Sequence, residues 1–322
     1  MRAVGIILAG GNNNRMKELT HKRAVAAMPI AGSYRSIDFA LSNMTNSHIQ
    51  KVAVLTQYNA RSLNEHLNSS KWWNFGRKQG GLYVFTPTIT NDNGYWYRGT
   101  ADAIYQNMDF LKKSHEPYVV IASGDAVYKM DYSKVLQYHI DKKADVTVVC
   151  KEMDPSDDVS RFGTIRMDDD MRITEFEEKP MVTKSNMIST GIYVIRRRLL
   201  IDLIEHAAEE ERFDFVNDVL IRYKNLKKIY GYKIDHYWSN IATVDAYYKT
   251  NMDFLKPEVR NYFFKQDPEI YSKVSDLPPA KYNPGASVKN SLVGSGSIIN
   301  GTVENSVIFK QVFVGNNCVI KN

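Results

Sequence analysis

The chain has 322 residues, 43% of them hydrophobic and 24% charged, an ordinary balance for a soluble globular protein with room for two domains. No apolar run approaches the roughly 18 residues that span a bilayer, so a membrane role is not expected. The net charge of +6, from 42 basic and 36 acidic residues, is mild; its longest basic run, Arg196-Arg197-Arg198, directly follows an apolar strand and reads as a solvated strand end rather than a nucleic-acid site.

The opening segment to Ala9 reads as a buried first strand, Val4–Ala9, and not as a signal peptide: its apolar stretch is short, lacks a clear cleavage site and runs straight into Gly10-Gly11. Ser36–Ser47 reads as a helix, Val52–Thr56 as a second buried strand, Thr100–Lys113 as a helix with Thr100 and Asp102 as capping residues, and Tyr118–Ala122 as a third buried strand. Strands alternating with helices imply an open α/β sheet, which binds ligands beyond the carboxyl ends of its strands. Gly10-Gly11 and Gly124-Asp125 both fall at such ends. Val146–Cys150 is a further strand, and Arg161–Arg166 with Ile173–Phe176 suggests a hairpin around Asp168-Asp169-Asp170. Three adjacent acids in a turn point apart, which favours a solvated turn over a metal site. Ile192–Ile195 is another strand candidate.

Residues 256–285 carry Pro257, Pro268, Pro278 and Pro279 and read as a connector between a domain of residues 1–255 and a segment of different character, residues 286–322. In that last segment Val288, Leu292, Ile298, Val303, Ile308, Val314 and Ile320 recur about every five or six residues, with Gly, Ser and Asn between. The spacing suits hexapeptide repeats of a parallel β-helix, with a β-meander as the plainer alternative. Repeat arrays need a cap or a partner over an open end, so the stop at Asn322 implies truncation or cover by another subunit. Cys150 and Cys318 match no zinc or redox spacing and read as thiols in a reducing cytoplasm.

The chemistry-bearing motifs start with Leu8-Ala9-Gly10-Gly11-Asn12-Asn13-Asn14-Arg15. A glycine pair after a buried strand lets backbone amides approach phosphates, and Arg15 could neutralise their charge. Alone, such a pair is often only a turn. With Leu19-Thr20, Arg23-Ala24, the run from Tyr34 to Asn43, and Val54-Leu55-Thr56-Gln57-Tyr58, it resembles the N-terminal signature of bacterial glucose-1-phosphate adenylyltransferases. The resemblance continues through Trp96-Tyr97-Arg98-Gly99-Thr100-Ala101-Asp102-Ala103, Ser123-Gly124-Asp125, Phe176-Glu177-Glu178-Lys179-Pro180, Ser189-Thr190-Gly191-Ile192-Tyr193, Asp214-Phe215 and the run from Tyr237 to Thr243. It covers nearly the whole chain in the right order. It implies a Rossmann-like (GT-A-like) nucleotidyltransferase domain with a mixed sheet, followed by a left-handed parallel β-helix.

The reaction implied is ATP plus glucose 1-phosphate giving ADP-glucose and pyrophosphate, with Mg2+ and basic side chains stabilising the charge that spreads over the phosphates. By the same resemblance Asp125 would hold magnesium, Arg15 the triphosphate, with Gly10 and Gly11 beside it, and Lys179 the sugar phosphate. Glu178 and Asp214 would hold the sugar hydroxyls, Ser189 belongs to a sugar-site segment, and Tyr97 and Gly99 would line the adenine pocket. Without the other motifs, Glu178 and Lys179 would read as a surface ion pair.

Departures from the family pattern cluster where charge is needed. Asn240 stands where the family has a second magnesium carboxylate, Val25 where it has a lysine, and Asn12-Asn13-Asn14 where it has a glycine-rich loop; Thr88 aligns with a base-contacting glutamine. One lost preorganised group costs about 3 kcal/mol, or a hundred-fold or more in rate. Several together imply a deficit of about a thousand-fold, short of full additivity. The first expectation is therefore a weakly active or inactive partner, resembling the GlgD type of glycogen-biosynthesis subunit, in a hetero-oligomer with a catalytic adenylyltransferase or as a homo-oligomer alone. The second is a competent enzyme whose Mg2+ relies on Asp125 and water. A hexapeptide-repeat acyltransferase is not expected, because no His follows His236.

Overall fold

The structure is a computed structural model that describes residues 2–11, 14–76, 80–89 and 94–322. Among these, nine strands form one mixed sheet. In chain order they are β1 (Ala3–Ala9), β2 (Lys51–Thr56), β3 (Gly81–Phe85), β4 (Tyr118–Ser123), β5 (Val146–Glu152), β6 (Gly163–Met167), β7 (Ile173–Glu178), β8 (Met187–Arg196) and β9 (Ile229–Ile234). The order across the sheet is β7-β6-β8-β4-β1-β2-β3, with β5 against β8 and β9 against β5.

Strand β1 lies parallel to β2 and β4, and β2 parallel to β3. The continuous apolar runs of β1, β2 and β4 follow from burial on both faces. Ile7, Val52, Val54, Val120 and Ala122 pack into the core on one side, and Val4, Ile6, Ala53, Leu55, Val119 and Ile121 into the core on the other. Strand β8 runs antiparallel to its neighbours. Its second half pairs with β4, its first half meets β6, and its register to β5 is broken between Ser189 and Tyr193.

The helix expected over Ser36–Ser47 spans Ser36–Asn46, with Asp38 Oδ2 accepting from Arg35 N at 2.8 Å. The helix expected over Thr100–Lys113 is broken into Thr100–Gln106 and Met108–Lys112. Asn107 sits at the break, and its Nδ2 donates to Ala103 O (2.8 Å) and Tyr97 Oη (2.9 Å), a side chain competing with the helix ladder. The capping expected from Thr100 and Asp102 is corrected too. Gly99 is the N-cap residue, Thr100 Oγ1 accepts from Phe215 N (2.9 Å), Asp102 Oδ2 accepts from Arg98 N (2.8 Å), and the Phe213 carbonyl takes the first helical N–H groups, Ala101 at 2.7 Å and Asp102 at 3.3 Å. The hairpin around Asp168–Asp170 forms between β6 and β7, and Asp168 Oδ1 accepts from the backbone of Asp170 and Arg172.

Beyond the sheet, the segment from Pro257 to Phe264 is a helix whose Phe263 is fully buried beside Phe39 and Phe254. From Lys281 onward the chain makes three short stacks of parallel strands, which sets aside the meander. Lys281–Tyr282 pairs with Ile298–Ile299 and that with Phe313–Val314; Ser287–Lys289 pairs with Thr302–Glu304 and that with Val319–Lys321; Leu292–Val293 pairs with Val307–Ile308. Ile299, Val303, Ile308 and Val314 fill the interior. Two residues read from the spacing are thus corrected: Ile299 lines the interior and Ile298 is 38% exposed, and Val293 packs inside while Leu292 packs against the cluster of Phe39, Phe254 and Phe263. Asn290, Asn305 and Asn317 take left-handed backbone angles in this region, and Asn290 Nδ2 donates to Asn305 Oδ1 (2.9 Å) one layer on. No helix among the described residues is long and apolar enough to cross a membrane.

Candidate active site

A cleft of about 690 Å³ opens at the carboxyl ends of β1 and β4, where an open α/β sheet is expected to bind its ligand. Gly10, Gly11, Arg15, Val25, Tyr97, Gly99, Asp125, Lys179 and Asn240 all line it, although the sequence separates them by up to 230 residues. Asn12 and Asn13 of the asparagine loop lie outside the described residues.

Two of these side chains meet at one corner. The turn after β4 is tied to β1 by Gly124 N donating to Leu8 O (2.9 Å), and to the helix Ser36–Asn46 by Ser36 Oγ donating to Gly124 O (2.9 Å). Asp125 follows, and its carboxylate accepts from Ser123 Oγ. A short antiparallel pair, Ala126–Tyr128 with Trp238–Asn240, places Asn240 opposite Ala126, and Ile241 N donates to Asp125 O at 2.9 Å. The Asn240 Oδ1 accepts from Ala242 N at 3.0 Å. That donor identifies the oxygen end of the amide; the other end is NH2, so the side chain has a single neutral acceptor atom where a carboxylate would have two that share a negative charge. Among the described residues no group of three or more His, Cys, Asp or Glu could hold a metal ion. One carboxylate beside one engaged amide does not fit a magnesium ion bridged by two protein carboxylates.

The cations are arranged around that corner. Val25 faces the cleft at 7% exposure and packs into an apolar cluster with Met16, Met28 and Ile241, so no ammonium group reaches in from this position. Arg15 also lines the cleft, on the short helical stretch Asn14–Thr20. A second guanidinium, Arg161, was not signalled by any motif. It is half-buried, its Nη1 donates to Thr243 Oγ1 (3.1 Å), and its Cζ lies 4.7 Å from the centroid of the Phe162 ring. Burial pulls the Arg161 guanidinium down from the usual arginine range; Asp158 opposes that shift, Arg15 adds to it and Asp125 opposes it. An arginine in a loop before Phe162-Gly163 carries no spacing signal, and only the tertiary fold brings it to the cleft.

Lys179 lies mostly exposed at the rim, and its Nζ is 3.1 Å from Glu178 Oε1. Glu178 is itself largely covered. Burial pushes its carboxyl up, the Lys179 charge opposes this and Asp214 reinforces it. Glu178, Ser189 and Asp214 do not line the cleft; Glu178 and Asp214 are the sequence neighbours of the lining residues Lys179 and Phe215, and Ser189 touches the lining Tyr193. Ser189 Oγ is 3.2 Å from Tyr193 Oη, and Asp214 caps the helical turn Phe215–Ile221 by accepting from Asn217 N (2.7 Å).

At the far end, Tyr97 is buried, accepts at its hydroxyl from Asn107 and at its carbonyl from Gln57 Nε2 (3.2 Å). Gly99 is needed for close approach: a Cβ there would fall 2.3 Å from Phe213 O. Gln57 and Arg98 also line this end, and the Arg98 guanidinium lies 3.8 Å over the Phe213 ring. Thr88 is exposed, donates to Thr86 O (3.2 Å) and does not line the cleft.

The sequence model of the nucleotidyl transferase family matches residues 4–257. The glucose-1-phosphate adenylyltransferase of Clostridium botulinum (strain Alaska E43 / Type E3) is 42% identical over 323 residues, covering 99% of this chain and 83% of that one. The protein of the same name from Clostridium novyi (strain NT) is 40% identical over 320 residues, covering 98% and 84%. That from Thermosipho melanesiensis is 40% identical over 320 residues, covering 99% and 77%.

Proposed function

Because the chain belongs to the glucose-1-phosphate adenylyltransferase family of nucleotidyl transferases, we propose that it is a subunit of such an enzyme, weakly active or inactive by itself, that modulates a catalytic partner. The observation that carries this reading is the corner at Asp125. The Asn240 oxygen is uncharged and already accepts from Ala242 N, and the apolar Val25 lines the same cleft. Both positions that would supply charge to a magnesium triphosphate are neutral here.

In this reading the cleft still takes ATP and glucose 1-phosphate or related phosphates. Gly10, Gly11 and Arg15 face the triphosphate, and Tyr97 and Gly99 the base. Lys179 faces the sugar phosphate, with Glu178, Ser189 and Asp214 behind it orienting the sugar side. Phosphoryl chemistry in this family draws on Mg2+, and the poor fit at Asn240 is the reason for expecting little turnover. Residues 1–255 form the nucleotidyltransferase-like domain, 256–285 a connector and 286–322 the start of a left-handed β-helix, which serves assembly in a cytoplasmic hetero-oligomer.

A competent enzyme that relies on Asp125 alone is the second reading. It is favoured by the Asp125 carboxylate lying in the cleft, held by Ser123, since magnesium often keeps several waters. The deciding experiment measures ADP-glucose formation by the purified chain with magnesium, then repeats it after mixing with an intact relative. We expect turnover at least about a thousand-fold below the roughly 10 per second of an ordinary enzyme, and a changed rate or effector response in the mixture. Turnover near 10 per second by the chain alone would refute the partner-subunit reading.

A further inference from the structure

We propose that Arg161, acting with Arg15, gives this cleft a metal-independent grip on a polyphosphate chain. The inference rests on the reading above only in placing phosphate at the Arg15 end of the cleft. It follows from the misfit at the metal corner: where the protein offers too little negative charge to recruit a dication, it offers a second guanidinium.

Arg161 is built into the site rather than loose at its rim. Its bond to Thr243 uses one of five N–H donors, in a planar fork suited to phosphate oxygens. Thr243 is fixed in turn, accepting from Ala246 N (3.2 Å) as the cap of the helix Val244–Asp253. The Phe162 ring lies against the guanidinium and limits its rotation. Thr243 is three residues from Asn240, and Arg161 and Asn240 line the same cleft. Arg15 and Arg161 disfavour each other's charge, and an anion between them relieves that repulsion. Asp158 and Asp125 offset part of this repulsion, and the neutral Asn240 adds no further carboxylate to the same cleft.

The test is calorimetric titration of the full chain with ATP, and separately with inorganic tripolyphosphate, in excess EDTA and in excess magnesium. We expect ATP to bind in EDTA within about threefold of its affinity in magnesium. Arg161→Met should weaken binding in EDTA by about tenfold or more, and Arg161→Lys by less, because a point charge replaces part of the fork. Thermal unfolding of each variant checks that it is folded; the wild-type comparison of EDTA with magnesium stands even if Arg161→Met does not fold. Binding seen only with magnesium, or unchanged in Arg161→Met, overturns the proposal. The two readings separate cleanly. Ordinary turnover with strong EDTA binding removes the partner-subunit role and leaves this inference standing. No turnover with no EDTA binding does the reverse.

Discussion

Replacing Asn240 with Asp changes one atom in the corner that matters. The wild-type amide accepts from Ala242 N through its oxygen and presents NH2 on its other side. An Asp keeps that bond and turns the NH2 into a second carboxylate oxygen, close to Asp125, whose own carbonyl accepts from Ile241 N. Without a cation the two carboxylates repel; a hard dication relieves this and gains a second anionic ligand. A preorganised group of this kind is worth about 3 kcal/mol in the transition state, or about a hundred-fold in rate. The assay is ADP-glucose formation by the isolated chain over a range of magnesium concentrations, for the wild type, Asn240→Asp and Asn240→Ala. We expect a gain of about a hundred-fold for Asp and little change for Ala. A second readout is thermal unfolding. Magnesium at a hundred times its Kd stabilises the folded state by about 2.7 kcal/mol, near 5 °C at roughly 2 °C per kcal/mol for a long chain. Asn240→Asp should show that rise and the wild type less. An Asp variant no faster than the wild type, or slower, would refute the argument.

Val25→Lys should add little activity alone, because the metal corner stays deficient, but should raise the rate of Asn240→Asp beyond the sum of the single effects, since the two groups act as a unit; steady-state rates of the four proteins decide it. Acid sensitivity is expected from His139. Its ring is 1% exposed, its Nδ1 lies 2.8 Å from Thr147 Oγ1, and burial, chiefly, pulls its pKa down from 6.5 to about 4. The folded state therefore binds fewer protons than the unfolded one in that window. The stabilisation is complete above pH 6.5 and is lost as pH falls toward 4, by about 3 kcal/mol at 1.36 kcal/mol per unit. Denaturant titrations across pH should show this slope, and His139→Gln should flatten it.

The sheet was legible in the sequence where burial on both faces forces an unbroken apolar run, as in β1, β2 and β4. It was not legible where the run is interrupted. Strand β9, Ile-Tyr-Gly-Tyr-Lys-Ile, alternates with a glycine and a lysine, and β3 is five residues between segments of turn composition. The helix break at Asn107 depends on a bond to Tyr97, and the role of Thr100 on a bond to Phe215, 115 residues away. Within the candidate site, the residues that belong to family-like motifs could be named in advance. Arg161 could not, because its place is set by a bond to Thr243, 82 residues away, which no local pattern encodes.

The strand stacks at the chain's end carry a consequence for how such a coil can change length. Successive partners are separated by fifteen residues along most sides, but by seventeen between Lys281 and Ile298 and between Thr302 and Val319. The difference falls at the corner occupied by Gly301, where a Cβ would lie 2.3 Å from Cys318 O of the wider bend stacked on it. The bend absorbs the difference: the lining steps by four residues from Ile299 to Val303 and by six from Val314 to Ile320, yet each of these side chains packs into the interior. A coil of this kind can therefore lengthen or shorten at a bend while its inner row of side chains runs on unbroken.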